Sequence, residues 1–204
     1  MYQYIKTEIK KNIGIIEINR PENLNALNIG CIEEIKDVLE EYRMNKYVDV
    51  VVFKSTGNKA FIAGADIEEI KTLNAIEVLS NEGMHDFFND IDRFEKPTIA
   101  MIQGYALGGG CELALACDFR IASSEAKFGL PELNLGIVPG AGGTQRLLQQ
   151  IGLGNALYYT MTGKTIDADR AFQIGLVSEV TEPKYLQEKV LSIADKISSK
   201  GSLA

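Results

Sequence analysis

One run of β-branched residues constrains the fold more than any other feature of this sequence. The segment DVVVFKST, residues 49–56, has no polar side chain from Val50 to Phe53, which is typical of a strand buried on both faces. Further strands, such as KPTIAMI at 96–102, alternate with amphipathic helices, such as the one predicted within 25–45. Alternating strands and helices predict an α/β fold.

The remaining patterns fit one domain over residues 1–204. Residues 4–9 and 14–20 alternate apolar and polar side chains and predict two paired strands separated by a break at KKN. A helix is predicted after Asp167, its N-cap, with Gly175 as its stop. The sequence shows no fixed-period repeat, low-complexity tract or linker.

Composition excludes several classes of protein. The net charge of −7 and the pI of about 4.9 argue against nucleic acid as a partner, because nucleic-acid-binding proteins concentrate Lys and Arg. The three cysteines form no CxxC pair and no metal-ligand cluster, which is typical of free thiols in a reducing compartment. No apolar run has the length of a membrane span, and we therefore expect a cytoplasmic protein with no membrane partner.

A single carboxylate interrupts an otherwise apolar helix. In GGGCELALACD, residues 108–118, Glu112 lies one turn into a predicted helix of small apolar residues. A buried carboxylate is costly unless it is paired or hydrogen-bonded. One interpretation is an exposed Glu favoured by the positive end of the helix; the other, which its apolar neighbours favour, is a catalytic group.

Two glycine-containing turns precede predicted helices and could present backbone N–H donors. Ala63 to Asp66 follow a strand and open a helix, whose first N–H groups lack internal partners. Gly108 to Gly110 repeat this arrangement. Such donors could bind an anion or a polarised carbonyl. The first stretch is equally compatible with a tight turn in which Asp66 caps the helix.

Glu132 is the second carboxylate in an apolar setting. It stands in FGLPELNLGIVPGAGG, between Leu130-Pro131 and Leu133, and a loop rich in Gly and Pro follows. Taken alone, Glu132 would be interpreted as an exposed loop residue. Together with Glu112 and the two candidate donor turns, it favours a pair of carboxyl groups that share acid–base work.

Five motifs in order carry a resemblance to a known family. The chain resembles the crotonase (enoyl-CoA hydratase) superfamily over about residues 3–200. This resemblance implies the crotonase fold, a spiral superhelix of repeated β-β-α turns, assembled as a homotrimer or a dimer of trimers. It also implies an acyl-CoA thioester substrate. The motifs are NRPENLNALN, KAFIAGADI, GYALGGGCELALACDFRIAS, FGLPELNLGIVPGAGGTQRL and TGKTIDADRAFQIGLVSEV.

The resemblance also implies a role for each matching residue. The backbone N–H groups of Ala65 and Gly109 match the family's oxyanion hole, and Glu112 and Glu132 match the two catalytic glutamates of the hydratases. It implies no metal and no cofactor, since CoA is part of the substrate. The residues expected to contact CoA or substrate are Ala26, Leu27, Ala63, Gly64, Ala65, Asp66, Ile67, Glu68, Gly109, Pro139 and Gly140, with Asn25 beside the adenine pocket.

The expected activity is reversible syn addition of water to the C2=C3 bond of a short-chain trans-2-enoyl-CoA. An isomerase of the same superfamily is an alternative, although isomerases commonly use one carboxylate at the second position. A serine peptidase of the same fold would need a Ser-His-Asp triad, and His85, the only histidine, has no such motif beside it. Family members continue into C-terminal helices that we expect this chain to lack, so an inactive, truncated binding or scaffold domain is a further alternative.

Overall fold

The computed structural model describes residues 2–66 and 84–200. In these two ranges the helices are α1 (Ile29–Met44), α2 (Met84–Asp92), α3 (Gly109–Ala116), α4 (Gly143–Thr162), α5 (Ala168–Gln173) and α6 (Leu186–Ser198). The strands are β1 (Ile5–Lys10), β2 (Ile13–Ile18), β3 (Val50–Ser55), β4 (Ala60–Ile62), β5 (Thr98–Ile102), β6 (Tyr105–Leu107), β7 (Phe119–Ser123), β8 (Lys127–Gly129), β9 (Ile166–Asp167) and β10 (Glu179–Thr181).

The strands form two sheets that the chain visits alternately. One sheet has the order β1-β2-β3-β5-β7-β10 and the other β4-β6-β8-β9. The neighbours β2, β3, β5, β7 and β10 pair in parallel, as do β4, β6 and β8. The successive pairs β3/β4, β5/β6 and β7/β8 each place one strand in each sheet, and α3 follows the second of these pairs. The predicted α/β class and the β-β-α spiral are confirmed.

The buried β3 strand explains why the large sheet is apolar on both faces. Val51 and Phe53 belong to a core cluster with α1, α2 and α3, whereas Val50 and Val52 pack in a second cluster with α6. A strand covered by helices on both sides cannot alternate polar and apolar residues. The unbroken apolar run that dominates the sequence is therefore the consequence of two cores sharing one sheet.

The first helix begins four residues later than its apolar pattern. The pattern predicted a helix from residue 25, but α1 starts at Ile29, where the Asn28 side chain caps the N–H of Cys31 at 2.9 Å. Asn25 has a positive φ of 58° and is buried with its amide bonded to the carbonyls of neighbouring segments. Leu27 instead forms an isolated β-bridge with Ala65. Tertiary pairing has overridden local helix propensity in this segment.

Two other sequence expectations meet different outcomes. The sequence patterns predict no strand between KPTIAMI and the Gly108–Gly110 turn, but Tyr105–Leu107 forms the short strand β6 between β4 and β8. The predicted cap and stop of α5 are confirmed: the Asp167 carboxylate accepts the N–H of Arg170 at 2.8 Å, and Gly175 has a φ of +79°. Among the described helices, none combines the length and the apolar character that a membrane crossing requires.

The buried helix α3 packs so closely on β4 that one of its glycines is obligatory. A Cβ on Gly110 would overlap the backbone carbonyl of Ile62. We therefore expect Gly110→Ala to lower the free energy of unfolding by about 1–3 kcal/mol, the usual cost of overpacking. Urea denaturation measures this change. Gly154→Ala is the matched control, because nothing lies within 4 Å of a Cβ there, and a Gly110→Ala variant as stable as this control would contradict the packing.

Candidate active site

Glu112 lies in the first turn of α3 and is only 3% exposed. Its Oε1 atom accepts hydrogen bonds from the backbone N–H groups of Ala141 and Gly143, both at 2.9 Å. These two donors come from the loop that leads into α4. The interpretation of Glu112 as an exposed helix-end residue is therefore wrong, because the carboxylate is buried and held by two dedicated donors.

The loop approaches Glu112 closely because residue 143 has no side chain. A Cβ on Gly143 would lie 2.8 Å from Glu112 Oε1 and 2.7 Å from its Cγ, which is closer than real Cβ atoms come. Sequence reasoning did not identify Ala141 and Gly143 as partners of this carboxylate. The available signal was the stretch PGAGG at 139–143, a Gly-rich loop that ends at a helix start.

Opposing effects act on the pKa of Glu112. Burial raises the pKa of this carboxyl, and this is the largest effect. The N–H groups of Gly143 and Ala141 lower the pKa, and the positive charges of Arg146 and His85 act in the same direction. The pKa of Glu112 remains raised above its ordinary value, because burial outweighs these donors and charges.

Glu132 has a different environment from Glu112. It lies in a 3-10 turn at Pro131–Leu135 and is half-buried, so the interpretation of a freely exposed loop residue is wrong. Its Oε2 atom is buried and has no hydrogen-bond partner in the described structure. Burial, followed by the nearby Glu112 charge, raises the pKa of Glu132 to about 7. This carboxyl group is available both to hold and to release a proton near neutral pH.

The two glycine turns meet in front of Glu132. A Cβ on Gly108 would lie 3.3 Å from Glu132 Oε1 and 3.7 Å from Gly64 Cα, and one on Gly109 would lie 3.6 Å from the Ala65 nitrogen. Gly64 and Gly108 both have positive φ angles, of 126° and 51°, which favour glycine. In residues 2–66 and 84–200, the N–H groups of Ala65 and Gly109 have no hydrogen-bond partner.

Hydrogen bonds and one ion pair hold the turn at Ala65 in place. The Leu27 N–H donates to the Gly64 carbonyl at 2.9 Å, and the Asp66 N–H donates to the Leu27 carbonyl at 2.8 Å. Arg20, which sequence reasoning missed, forms an ion pair with Asp66 at 2.9 Å and donates to the Ala26 carbonyl. The turn that presents the Ala65 N–H is therefore braced from the segment before α1.

The other residues expected to contact CoA or substrate are distributed as follows. Ala26, Leu27, Ala63, Gly64 and Asp66 lie together in the braced segment around Ala65. Pro139 is buried and Gly140 is exposed, in the loop just before the Ala141 N–H that binds Glu112. Ile67 and Glu68 lie outside the described residues.

His85 and the cysteines complete the titratable groups near the site. His85 is exposed on α2, and a positive charge on its ring lowers the pKa of Glu112. Burial raises the pKa of Cys111 and that of Cys117 to about 12, which leaves both thiols unreactive. Within the part of the chain that the structure describes, no group of three or more His, Cys, Asp and Glu side chains is arranged to hold a metal.

The chain is similar to known proteins over almost its whole length. A family model described as enoyl-CoA hydratase/isomerase matches residues 8–204. The chain is 46% identical over 204 residues to the crotonyl-CoA hydratase of Syntrophomonas wolfei, covering 100% of this chain and 78% of that protein. It is 45% identical over 202 residues to the short-chain-enoyl-CoA hydratase of Clostridium acetobutylicum, covering 97% and 76%.

Solved structures give the same result. The enoyl-CoA hydratase of Bacillus anthracis superposes with a TM-score of 0.95 at 40% identity, covering 98% of this chain and 78% of that one. A structure from Geobacillus kaustophilus, described as an enoyl-CoA hydratase subunit, superposes with a TM-score of 0.94 at 40% identity, covering 99% and 78%.

Proposed function

Because this chain belongs to the enoyl-CoA hydratase/isomerase family, we propose that it catalyses the reversible syn addition of water to a short-chain trans-2-enoyl-CoA. One observation carries this proposal. Two carboxyl groups with different environments stand beside two backbone N–H groups that have no hydrogen-bond partner among the described residues. Conjugate addition of water needs both a pair of proton carriers and a binding site for an oxyanion.

The two N–H groups would bind the thioester oxygen. Attack at C3 moves electron density through C2 to the carbonyl oxygen and forms an enolate. Donors aimed at this oxygen stabilise charge as it develops, and losing one donor typically costs about 100- to 1,000-fold in rate. Ala65 and Gly109 are suited to this role because a Cβ on Gly109 would lie only 3.6 Å from the Ala65 nitrogen, and neither N–H has a partner in residues 2–66 and 84–200.

The two carboxyl groups would divide the proton transfers. Glu112, as the carboxylate, takes a proton from water while the water oxygen forms the C3–O bond. Glu132, as the acid, gives its proton to C2 while the enolate collapses to the thioester. The dehydration runs through the same steps in reverse. No electrons are gained or lost by the substrate, so the proposal requires no redox cofactor, and CoA enters only as part of the substrate.

The separate environments favour this division. Glu132, with a pKa of about 7 and no hydrogen bond to Oε2, can carry a proton at neutral pH. Glu112 has two N–H donors on one oxygen, which favour its ionised form. A double-bond isomerase needs only one carboxyl group to move a proton between carbons. A second carboxylate with its own dedicated loop therefore favours the hydratase over the isomerase.

The proposal also covers where CoA binds and how the chain assembles. We assign CoA contacts to the segment braced around Ala65 and to the Pro139–Gly140 loop. The chain is proposed to act in the cytoplasm as a homotrimer or a dimer of trimers. Support for self-association comes from exposed apolar side chains around the 3-10 turn and along α4; these are Leu133, Leu135, Ile137, Val138, Leu153, Leu157 and Met161.

Product analysis in oxygen-labelled water tests the function. Crotonyl-CoA incubated with the chain should yield a 3-hydroxyacyl-CoA that contains one oxygen from the solvent. Trans-3-enoyl-CoA, offered in parallel, should not be converted to the conjugated isomer at a comparable rate. Isomerisation without incorporation of solvent oxygen would overturn the assignment in favour of an isomerase.

The pH dependence is a second expected outcome. We expect kcat/KM to fall as the pH rises through about 7, because Glu132 then loses the proton that C2 must receive. It should also fall at low pH, where both carboxyl groups are protonated. The reaction releases no net proton, so hydration and dehydration should share one bell-shaped profile, with one proton on the pair in the active form.

Measuring kcat/KM against pH in both directions checks this profile. A profile that stays flat through the Glu132 pKa of about 7 would contradict the role of this residue.

A further inference from the structure

The first turn of α4 buries a guanidinium group that the proposed mechanism does not use. Arg146 is 7% exposed. Its Nη1 donates to the Ala141 carbonyl at 2.9 Å and its Nη2 to Asn89 Oδ1 at 2.7 Å, while Asp92 Oδ2 lies 3.6 Å from Nη2. Its Nε is buried without a partner in the described structure. Burying a guanidinium group is costly when one of its N–H donors lacks a partner. A functional role for Arg146 would explain why the chain keeps an arginine at this position.

The Ala141 carbonyl, which accepts the Arg146 hydrogen bond, lies in the part of the loop that binds Glu112. It belongs to the peptide between the two peptides whose N–H groups bind Glu112 Oε1. Arg146 therefore holds the loop from one side while Glu112 holds it from the other. A Cβ on Gly142 would overlap the guanidinium, and Gly142 has a φ of +93°, so the loop is shaped to receive this side chain.

The other end of the guanidinium reaches α2. Asn89 and Asp92 both lie on this helix, as does Met84, whose Sδ would be 3.3 Å from a Cβ on Gly109. Arg146 thus connects the loop that holds Glu112 with the helix that packs against the Gly109 donor. It does so without any contact to Glu112 itself through a hydrogen bond.

We propose that Arg146 is a positioning residue, which fixes the Ala141–Gly143 loop and thereby the orientation and charge of Glu112. This inference rests on the proposed hydratase function and extends it to a residue that does not touch the substrate. A misplacement of about 1 Å caused by a distant residue can cost about 100-fold in rate. Loss of Arg146 should therefore lower kcat far more than it raises KM.

The pKa of Glu112 is a second property by which the role of Arg146 can be measured. Among the described residues, Arg146 on α4 and His85 on α2 act on the pKa of Glu112, and Glu112 in turn raises the pKa of Glu132 on its 3-10 turn and of the neighbouring Cys111 on α3. Arg146 favours the ionised form of Glu112 both through its charge and through the loop donors that it fixes. Removing Arg146 should raise the pKa of Glu112 and shift the low-pH limb of the kcat/KM profile to higher pH.

The test compares Arg146→Gln and Arg146→Lys with the wild-type chain and with Arg93→Gln. Arg93 is exposed in the turn that follows α2, next to Asp92, so its substitution removes one positive charge without touching the loop. We expect Arg146→Gln to lower kcat by about 100-fold with little change in KM. Arg146→Lys should return the low-pH limb toward its wild-type position but leave kcat reduced, because an ammonium cannot contact Ala141 and Asn89 in one plane.

Direct titration of Glu112 separates this inference from the proposed function. Carbon NMR of the side-chain carboxyl, assigned by loss of its signal in Glu112→Gln, needs no substrate and no turnover. The inference predicts a higher pKa of Glu112 in Arg146→Gln than in the wild type and no change in Arg93→Gln. It is overturned if that pKa is unchanged in a folded Arg146→Gln variant, whether or not the chain hydrates crotonyl-CoA. In a chain that hydrates crotonyl-CoA, equal kcat values for Arg146→Gln and Arg93→Gln would also overturn it.

Discussion

Glu132→Gln is expected to lower kcat for hydration of crotonyl-CoA by about 100- to 10,000-fold, the usual contribution of a general acid. Glutamine has nearly the same shape as glutamate but carries no transferable proton. The Oε2 atom of Glu132 is buried and has no hydrogen-bond partner in the described structure, so no group bonded to it can supply the proton in its place. KM should change little, since the thioester oxygen is proposed to bind elsewhere.

Stability measurements distinguish this loss from a folding defect. The folded-state pKa of Glu132 is raised to about 7 from 4.5, so its contribution to stability is present at low pH and is lost as the pH rises through about 7. Glu132→Gln should therefore melt at a higher temperature than the wild type above pH 7. Glu125→Gln, on an exposed turn, is the control and should alter neither property. Full activity in Glu132→Gln would exclude this residue as the acid.

Gly109→Pro is expected to lower kcat by at least about 100-fold, because proline removes one of the two N–H donors. Proline suits the structure at this position, since Gly109 is the first residue of α3 and its N–H makes no helical hydrogen bond. The substitution removes a donor without touching either carboxyl group. Steady-state hydration of crotonyl-CoA measures the effect.

Gly109→Ala is the matched variant for this test. Its Cβ would meet Met84 Sδ at 3.3 Å, a flexible side chain, and the Ala65 nitrogen at 3.6 Å, so a small adjustment accommodates it while the N–H remains. We expect a much smaller loss of kcat than in Gly109→Pro. If the two variants lost activity equally, the effect would arise from crowding and the oxyanion role of this N–H would be wrong.

Local patterns were sufficient for much of the fold. The apolar run of β3, the hairpin of β1 and β2, and the cap and stop of α5 depend on neighbouring residues, and each was predicted from the sequence. The start of α1 was not, because Leu27 pairs with Ala65, far along the chain. The strand β6 was also missed, since three residues between glycines carry too short a pattern to distinguish a strand from a turn.

In the candidate site too, some features were predicted from local sequence and others depend on tertiary structure. Apolar neighbours predicted that Glu112 is buried, and the glycine turns predicted candidate backbone donors, which the family resemblance assigns to Ala65 and Gly109. The partners of Glu112 lie 29 and 31 residues away in sequence, so only tertiary structure identifies them. Arg20 and Arg146 were missed for a related reason: each acts through backbone carbonyls, which leave no residue-type signal in a sequence.

The most direct test of the account is the loss of the ultraviolet absorbance of crotonyl-CoA, measured for the wild type, Glu112→Gln, Glu132→Gln and the double variant. We expect rapid loss of absorbance with the wild type and a large decrease in this rate for each single variant. The double variant should be hardly slower than the worse single variant, because the two groups act as one unit. A folded wild-type chain that leaves the absorbance unchanged, or a double variant as fast as the wild type, would contradict hydration by this pair of carboxyl groups.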